Sequence, residues 1–305
     1  MGLRSYFVNK LLASWDKSDQ ARFSNKLFPE GVHQQRDVYY AQGDSRNSLD
    51  VYYPSVGSQK LPVLIDIHGG GFMSGDKESD RLFCFHMVKR GFLVFNLNYR
   101  LALSDVKVTD QIQDIALATE WVRDHLEEYN GSRNEIFICG HSAGAVLAAI
   151  EALTAQSPRL RKVFDINGHS FVPYKGIVLD CGMMTFYQHG IGYWGMRTMV
   201  FHKGYRRDIK YNNMIWNQIA ELSTLPKTFL ISNEKDELRH MTRAFKRILD
   251  EKTIENHLNY QTNDALGHME IIYNPDSIGC SNIIDDMVAY LRSEKEFEQG
   301  VRASL

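Results

Sequence analysis

The stretch FICGHSAGAVL, Phe137 to Leu147, decides how this chain folds. A β-type run of Phe, Ile and Cys stops at Gly140, presents Ser142, and restarts at once as an Ala-rich helix. A strand-to-helix junction ordinarily takes a loop of several residues. Compressing it into Gly140-His141-Ser142-Ala143-Gly144 puts the serine on a sharp, exposed bend. The glycines two positions to either side leave space where a Cβ would strike the neighbouring strand or helix. Ser142 is therefore a candidate nucleophile, to be weighed against the plainer reading of a serine in a glycine-lined turn.

Apolar runs of strand length recur on both sides of that bend: LPVLIDIH (61–68), FLVFNLNY (92–99), EIFICG (135–140), GIVLD (176–180), KTFLISN (227–233) and LNYQT (258–262). Nearly continuous apolar strands are what a sheet covered on both faces requires, and their alternation with helical segments implies parallel pairing through right-handed crossovers. Two further runs, DVYYA (37–41) and SLDVYYP (48–54), flank a polar Gly-Asp-Ser turn and read as an antiparallel hairpin. The expectation is an α/β protein with a doubly wound, mostly parallel sheet of about eight strands, in one domain over 1–305. Ile112, Ile115, Ala118, Val122 and Leu126 form one apolar stripe of a crossover helix over 108–129. The segments 142–156, 239–252 and 282–295 are similarly periodic. Outside the alternation lie an N-terminal helix over roughly 3–25 and an insertion, 181–222, rich in Met, Tyr, Phe and Trp. Long insertions at strand ends are where such folds build pockets.

Composition narrows the partners. A formal charge of −2 and a pI near 6.6 give no basic footprint for nucleic acid. A mean hydropathy of −0.33 and no transmembrane-length run argue against a membrane protein. Cys84, Cys139, Cys181 and Cys280 are far apart, and Cys139 and Cys181 lie in or at the end of apolar runs, so no disulfide framework is expected. Asn9, Lys10 and Asp16 interrupt the first residues before any signal-peptide core can form, which points to a cytoplasmic protein. Asn130-Gly131-Ser132 then reads as a helix-ending turn and not as a glycosylation acceptor. No H-E-x-x-H, Cys-x-x-Cys pair or P-loop appears, so no metal or cofactor is expected.

A serine hydroxyl is a poor nucleophile until a base takes its proton and a third group orients that base. Among the histidines after Ser142, His268 in ALGHMEI follows the last strand-like run, where a loop can carry it back over the sheet edge. His169, His189, His202, His240 and His257 fall in other loops, the insertion, a helix or a strand start. Asp236 in TFLISNEKDEL directly follows a strand and is the preferred orienting acid, with Asp180 after GIVL the rival. Asp264, four residues from His268, better suits a loop-stabilising role. A developing oxyanion needs donors, and the three glycines in IDIHGGGFMSG (65–75) let backbone N–H groups converge on one point. The Ala143 N–H at a helix start completes such a cradle.

HGGGF, NYRLA, GHSAG, KDEL and GHMEI together resemble the α/β-hydrolase-fold esterases of the hormone-sensitive-lipase type, over roughly 48–295. That resemblance implies Ser142, Asp236 and His268 as the catalytic triad and Gly70, Gly71 and Ala143 as oxyanion donors. It also implies no cofactor, a small helical cap built from 1–30 and 181–222, and hydrolysis of short- or medium-chain acyl esters. Three features depart from the pattern: His141 stands where many relatives carry an acid, NYRLA lacks a following Pro-Glu, and Ala145 replaces a common glycine. GHSAGA is also similar to the arylformamidases, which makes an arylformamidase or amidase the alternative enzyme; a non-catalytic small-molecule receptor is the alternative of another class. Phe72, His141, Met183, Phe186, Tyr187 and Trp194 are the candidate substrate-binding residues. The partner expected is a small-molecule ester, with a homodimer the one protein assembly considered.

Overall fold

The computed structural model describes residues 30–55, 59–103, 105–169, 171–185, 197–262 and 266–293. Among the described residues eight strands form one sheet: β1 (Val32–Tyr39), β2 (Ser48–Pro54), β3 (Leu61–Ile67), β4 (Leu93–Leu97), β5 (Gly131–His141), β6 (Tyr174–Asp180), β7 (Lys227–Asn233) and β8 (Asn256–Gln261). Their spatial order is β1-β2-β4-β3-β5-β6-β7-β8. β1 and β2 are antiparallel to their neighbours, and every pairing from β4 through β8 is parallel. The expected hairpin is β1–β2, although β1 starts earlier than 37 and carries a register shift between Gln35 and Val38.

Alternation along the central strands divides the core into two layers, because successive side chains on a strand point to opposite faces. Ile65 and Ile67, Ile136 and Ile138, and Ile177 and Leu179 face one layer. It is filled by the helices α2 (Val108–His125), α3 (Ala143–Gln156) and α4 (Arg239–Glu251). Leu64, Phe137, Cys139, Val178 and Phe229 face the other, covered by α1 (Arg81–Lys89) and α5 (Ile278–Arg292). Both faces of the sheet are therefore dry, which is why its strands read as unbroken apolar runs.

Two helices differ from the sequence expectation. α1, RLFCFHMVK, buries six of its nine residues, so it shows no polar face, and a short apolar run of that kind cannot be told from a strand by periodicity. α5 begins at Ile278, four residues before the periodic stretch, because the Ser277 hydroxyl caps it by accepting from the Cys280 N–H at 3.3 Å. α2 ends close to expectation and passes into a single tight turn, Leu126–Tyr129, closed by Asn130 in the left-handed region.

The described end of the 181–222 insertion is a string of short helical turns whose Phe201, Tyr211, Met214, Trp216 and Leu222 join the α2–α3–α4 layer. Trp216 packs edge-on against Phe245 of α4 and donates its indole N–H to the Met184 carbonyl. The N-terminal helix expected over 3–25 and the segment 186–196 lie outside the described residues. Among the described residues no helix is long and apolar enough to cross a membrane.

Candidate active site

β5 ends at His141 and α3 begins at Ala143, so Ser142 alone makes the junction, with φ 51° and ψ −109°. An L-residue adopts that conformation only against steric strain, so its surroundings must hold it there. They do so through the main chain. The Ser142 N–H donates to the Asp180 carbonyl at 2.8 Å, and the Ser142 carbonyl accepts from Met183 N at 3.0 Å and Ala145 N at 3.2 Å. At Gly140 a Cβ would stand 2.2 Å from the Gly144 carbonyl oxygen, so no other residue fits the strand side of the bend.

His268, beyond β8 in the chain, stands against this serine. The Ser142 hydroxyl lies 3.1 Å from His268 Nε2, and His268 Nδ1 lies 2.8 Å from Asp236 Oδ1. With Nδ1 donating to the carboxylate, the lone pair of Nε2 faces the serine, which is the tautomer a general base requires. Asp236 is held in place by the Ser232 hydroxyl at 2.7 Å and the Leu238 N–H at 2.9 Å. Burial works to raise the Asp236 carboxyl, but the hydrogen bonds from His268, Ser232 and Leu238 and the charge on His268 outweigh it, leaving the group below its ordinary range.

Across the bend, His68 to Gly75 form a turn that the chain folds back upon. Gly70 and Gly71 have φ of 105° and 59°, and a Cβ on Gly70 would lie 2.1 Å from the Ser74 carbonyl oxygen. The Gly70 carbonyl accepts from Met73 N, Ser74 N and the Ser74 hydroxyl. Tyr99 anchors the start of the turn, its hydroxyl donating to the His68 carbonyl at 2.8 Å while its ring stacks on His68 at 4.2 Å. His68 is fully buried and donates Nδ1–H to the Gly69 carbonyl at 2.7 Å. Burial, helped by the nearby Arg46 charge, lowers this imidazole to about 3, so it stays neutral. The N–H of Ala143, first residue of α3, has no acceptor within its own helix.

A cavity of about 290 Å³ joins these parts, with Gly69, Gly70, Gly71, Ser142 and His268 in its wall. Met183, Leu238, Met269, Ile272 and Tyr273 supply apolar surface, and Glu237, Glu270 and Asp80 carboxyl groups. Among the described residues, two sets of three side chains bring metal-type ligand atoms within 4.8 Å of one another, namely Asp66, Cys139 and His141, and Cys181, Asp236 and His268. In the second set Asp236 and His268 are already bonded to each other and to Ser232 and Ser142.

The backbone superposes on solved esterases over almost its whole length. Esterase B from Lactobacillus rhamnosis, inhibited by a tributyrin phosphonate, matches with a TM-score of 0.85 over 94% of each chain at 23% sequence identity. The chain has the α/β-hydrolase fold. The BD-FAE family model matches the chain over residues 49–188. Among curated relatives, the probable carboxylic ester hydrolase LipM of Mycobacterium tuberculosis is 31% identical over 46% of this chain and 34% of its own length. Carboxylesterase NlhH of the same organism is 27% identical over 75% of this chain and 73% of its own. The chain thus spans about a third of the length of LipM.

Of the residues that the sequence nominated, the fold brings Ser142, Asp236 and His268 into one hydrogen-bonded row and sets Gly70, Gly71 and Met183 in the cavity wall. Asp180, the rival acid, bonds His141 instead. Two substrate-binding expectations are corrected. Phe72 does not line the cavity: with φ 69° its side chain is buried in the α2–α3–α4 layer, while its carbonyl accepts from Ala102 N and Gln111 Nε2, each at 2.7 Å. His141 does not line it either. As the second residue after Cys139 it shares that side chain's face of the sheet, pointing away from the bend and fully buried. Phe186, Tyr187, Trp194 and Asp264 lie outside the described residues. Sequence reasoning missed Leu238, Met269, Ile272 and Tyr273. The available signal was adjacency, since each falls within five residues of Asp236 or His268.

Proposed function

We propose that this α/β-hydrolase is a serine carboxylesterase acting on short-chain acyl esters through an acyl-enzyme. The observation that carries the reading is the continuous row from Ser142 Oγ to His268 Nε2 at 3.1 Å and from His268 Nδ1 to Asp236 Oδ1 at 2.8 Å. In this reading His268 takes the Ser142 proton as Oγ attacks the ester carbonyl carbon. The negative charge on the carbonyl oxygen is met by the N–H groups of Gly70, Gly71 and Ala143. The imidazolium, steadied by Asp236, then protonates the departing alkoxide, leaving acyl-Ser142 and the alcohol. Water enters, gives a proton to His268 and attacks the acyl carbon; His268 returns that proton to Ser142 Oγ as the acyl–oxygen bond breaks, so that the carboxylic acid leaves and the enzyme returns to its starting state.

The names of LipM and NlhH support ester hydrolysis. A cavity of about 290 Å³, at the small end of ligand pockets, supports acyl groups from acetyl to butyryl. The four free, buried cysteines support a reducing compartment, the cytoplasm. The cap assigned to 1–30 and 181–222 remains part of the proposal. The test is a panel of p-nitrophenyl esters from acetate to palmitate, with N-formylkynurenine as the amide arm and a fluorophosphonate probe for the nucleophile. Fast turnover of acetate or butyrate and labelling that disappears in Ser142→Ala are expected. A folded Ser142→Ala protein that hydrolyses esters at the wild-type rate would overturn the assignment, and a preference for the formamide would move it to the arylformamidases.

A further inference from the structure

Directly under the serine bend, on the α1–α5 face of the sheet, lies a buried group of ionisable side chains that the proposed reaction does not use. His141 is its centre. Its Nδ1 stands 2.9 Å from Asp180 Oδ2 and its Nε2 3.1 Å from Asp66 Oδ1, and all three residues are at most 1% exposed. Asp66 is the next-to-last residue of β3, close to the glycine turn, His141 ends β5 at the serine, and Asp180 ends β6. Asp80, just before α1, is fully buried too, and neither of its oxygens receives a hydrogen bond. The remaining neighbours are Cys84 of α1, whose thiol reaches Asp66, Cys139 of β5, whose Sγ is 3.6 Å from His141 Nε2, and His68 in the glycine turn. The ring of Phe83 closes the group edge-on at 5.1 Å.

A neutral imidazole has one N–H and one lone pair. Between two carboxyl groups in direct contact at 2.9 and 3.1 Å, a neutral His141 would aim that lone pair at a carboxylate oxygen. Only the doubly protonated ring offers a donor to each partner. We infer that His141 is a fixed imidazolium and a positioning residue: by bridging Asp66 and Asp180 it locks the glycine turn and the serine bend at the separation that oxyanion binding and proton transfer require. Asp180 transmits the constraint twice, since its side chain accepts from His141 while its carbonyl accepts the Ser142 N–H at 2.8 Å. Asp66 transmits it through Ile67 and His68, whose carbonyls bear on Gly144 at the start of α3. Burial opposes the charge on His141, but the facing Cys139, Asp66 and Asp80 and the hydrogen bond to Asp180 outweigh it and hold the ring well above its ordinary range. Burial pushes the Cys139 thiol up to about 12 and, with Asp66 and Asp180, raises Asp80.

The consequence for turnover rests on the esterase reading; the charge on the ring does not. Nitrogen-15 NMR of histidine-labelled protein between about pH 6 and 9 reads the ring directly, because an ordinary histidine loses its second proton within that range. His141 is expected to keep protons on both nitrogens throughout. A singly protonated ring, or one zinc ion per chain bound to Nε2 in the purified protein, overturns the inference. His141→Gln is expected to lower kcat about 100-fold with KM little changed, the signature of a displaced reacting geometry. A folded His141→Gln enzyme with full kcat overturns the positioning role. Should that variant fail to fold, Asp66→Asn/His141→Gln removes one of the two carboxylates left facing a neutral amide and is read the same way. A wild-type protein that neither hydrolyses esters nor takes up the fluorophosphonate overturns the esterase reading, and the positioning role with it, while the NMR result still reports the charge.

Discussion

Gly144 and the carbonyl of Ile67 are in such close approach that a Cβ on the glycine would stand 2.2 Å from the Ile67 oxygen, and 2.5 Å from that of His68. That contact seats the first turn of α3 against the end of β3, and with it the Ser142 bend against the glycine turn. Because both obstacles are backbone, no rotamer change relieves the clash. Gly144→Ala is expected to cost about 1–3 kcal/mol of stability and to lower kcat about 100-fold by shifting the bend. Urea unfolding and ester turnover measured on the same preparation check it. An alanine variant with unchanged stability and activity would show that the two segments are not seated in this way.

The φ of 51° at Ser142 separates two variants that both remove the hydroxyl. Ser142→Ala keeps a Cβ in the strained conformation, whereas Ser142→Gly removes it. Strain of this kind costs on the order of 1–3 kcal/mol, and the freedom a glycine gains in the unfolded chain returns part of the difference. The glycine variant is expected to be about 1 kcal/mol more stable than the alanine variant, with both inactive. Equal midpoints in parallel denaturation curves would mean that the bend is relaxed in solution.

Asp236→Asn tests the tautomer. Asp236 Oδ1 accepts from His268 Nδ1, and an asparagine can hold the same position by donating its amide N–H to Nδ1. The ring would then carry its proton on Nε2 and present a donor to Ser142 instead of a lone pair. A loss of about 10³- to 10⁴-fold in kcat is expected, with KM nearly preserved. Initial rates on p-nitrophenyl butyrate decide it, and a loss of less than tenfold would assign Asp236 to the fold alone.

The strands, their order of appearance and the Ser142 bend were legible because each rests on a local pattern: unbroken apolar runs for β3 to β7, and glycines at fixed distances from Ser142. His268 was legible from its place after the last strand. What escaped depends on which face of the sheet a residue shares with residues distant in sequence. His141 follows Cys139 by two, and Asp180 follows Val178 by two, so both belong to the α1–α5 face together with Asp66, two beyond Leu64. Period-two counting from the apolar residues would have placed all three on one side, and three polar residues at the ends of adjacent buried strands are a signal in themselves. α1 escaped for the opposite reason, because burial on nearly every side erases the stripe by which a helix is read.

His68 gives the fold an acid-sensitive joint. It is fully buried, stacked on Tyr99 and neutral, and burial lowers it to about 3, whereas an unfolded histidine titrates near 6.5. The folded value is the depressed one, so unfolding takes up a proton at this residue whenever the pH lies between the two. The stability it contributes is fully present above about pH 6.5 and is lost progressively as the pH falls toward 3. At pH 5 the loss amounts to about 2 kcal/mol relative to pH 7. His68→Phe keeps a flat ring against Tyr99 without a titrating nitrogen, and the Gly69 carbonyl still accepts from the Tyr99 hydroxyl at 3.3 Å. The variant is expected to start less stable at pH 7, for want of the Nδ1 hydrogen bond, and to lose about 2 kcal/mol less than wild type on acidification to pH 5. Urea unfolding at the two pH values gives both numbers. Parallel losses would mean that His68 is already protonated in the folded state and that the glycine turn carries a charge beside the proposed oxyanion site.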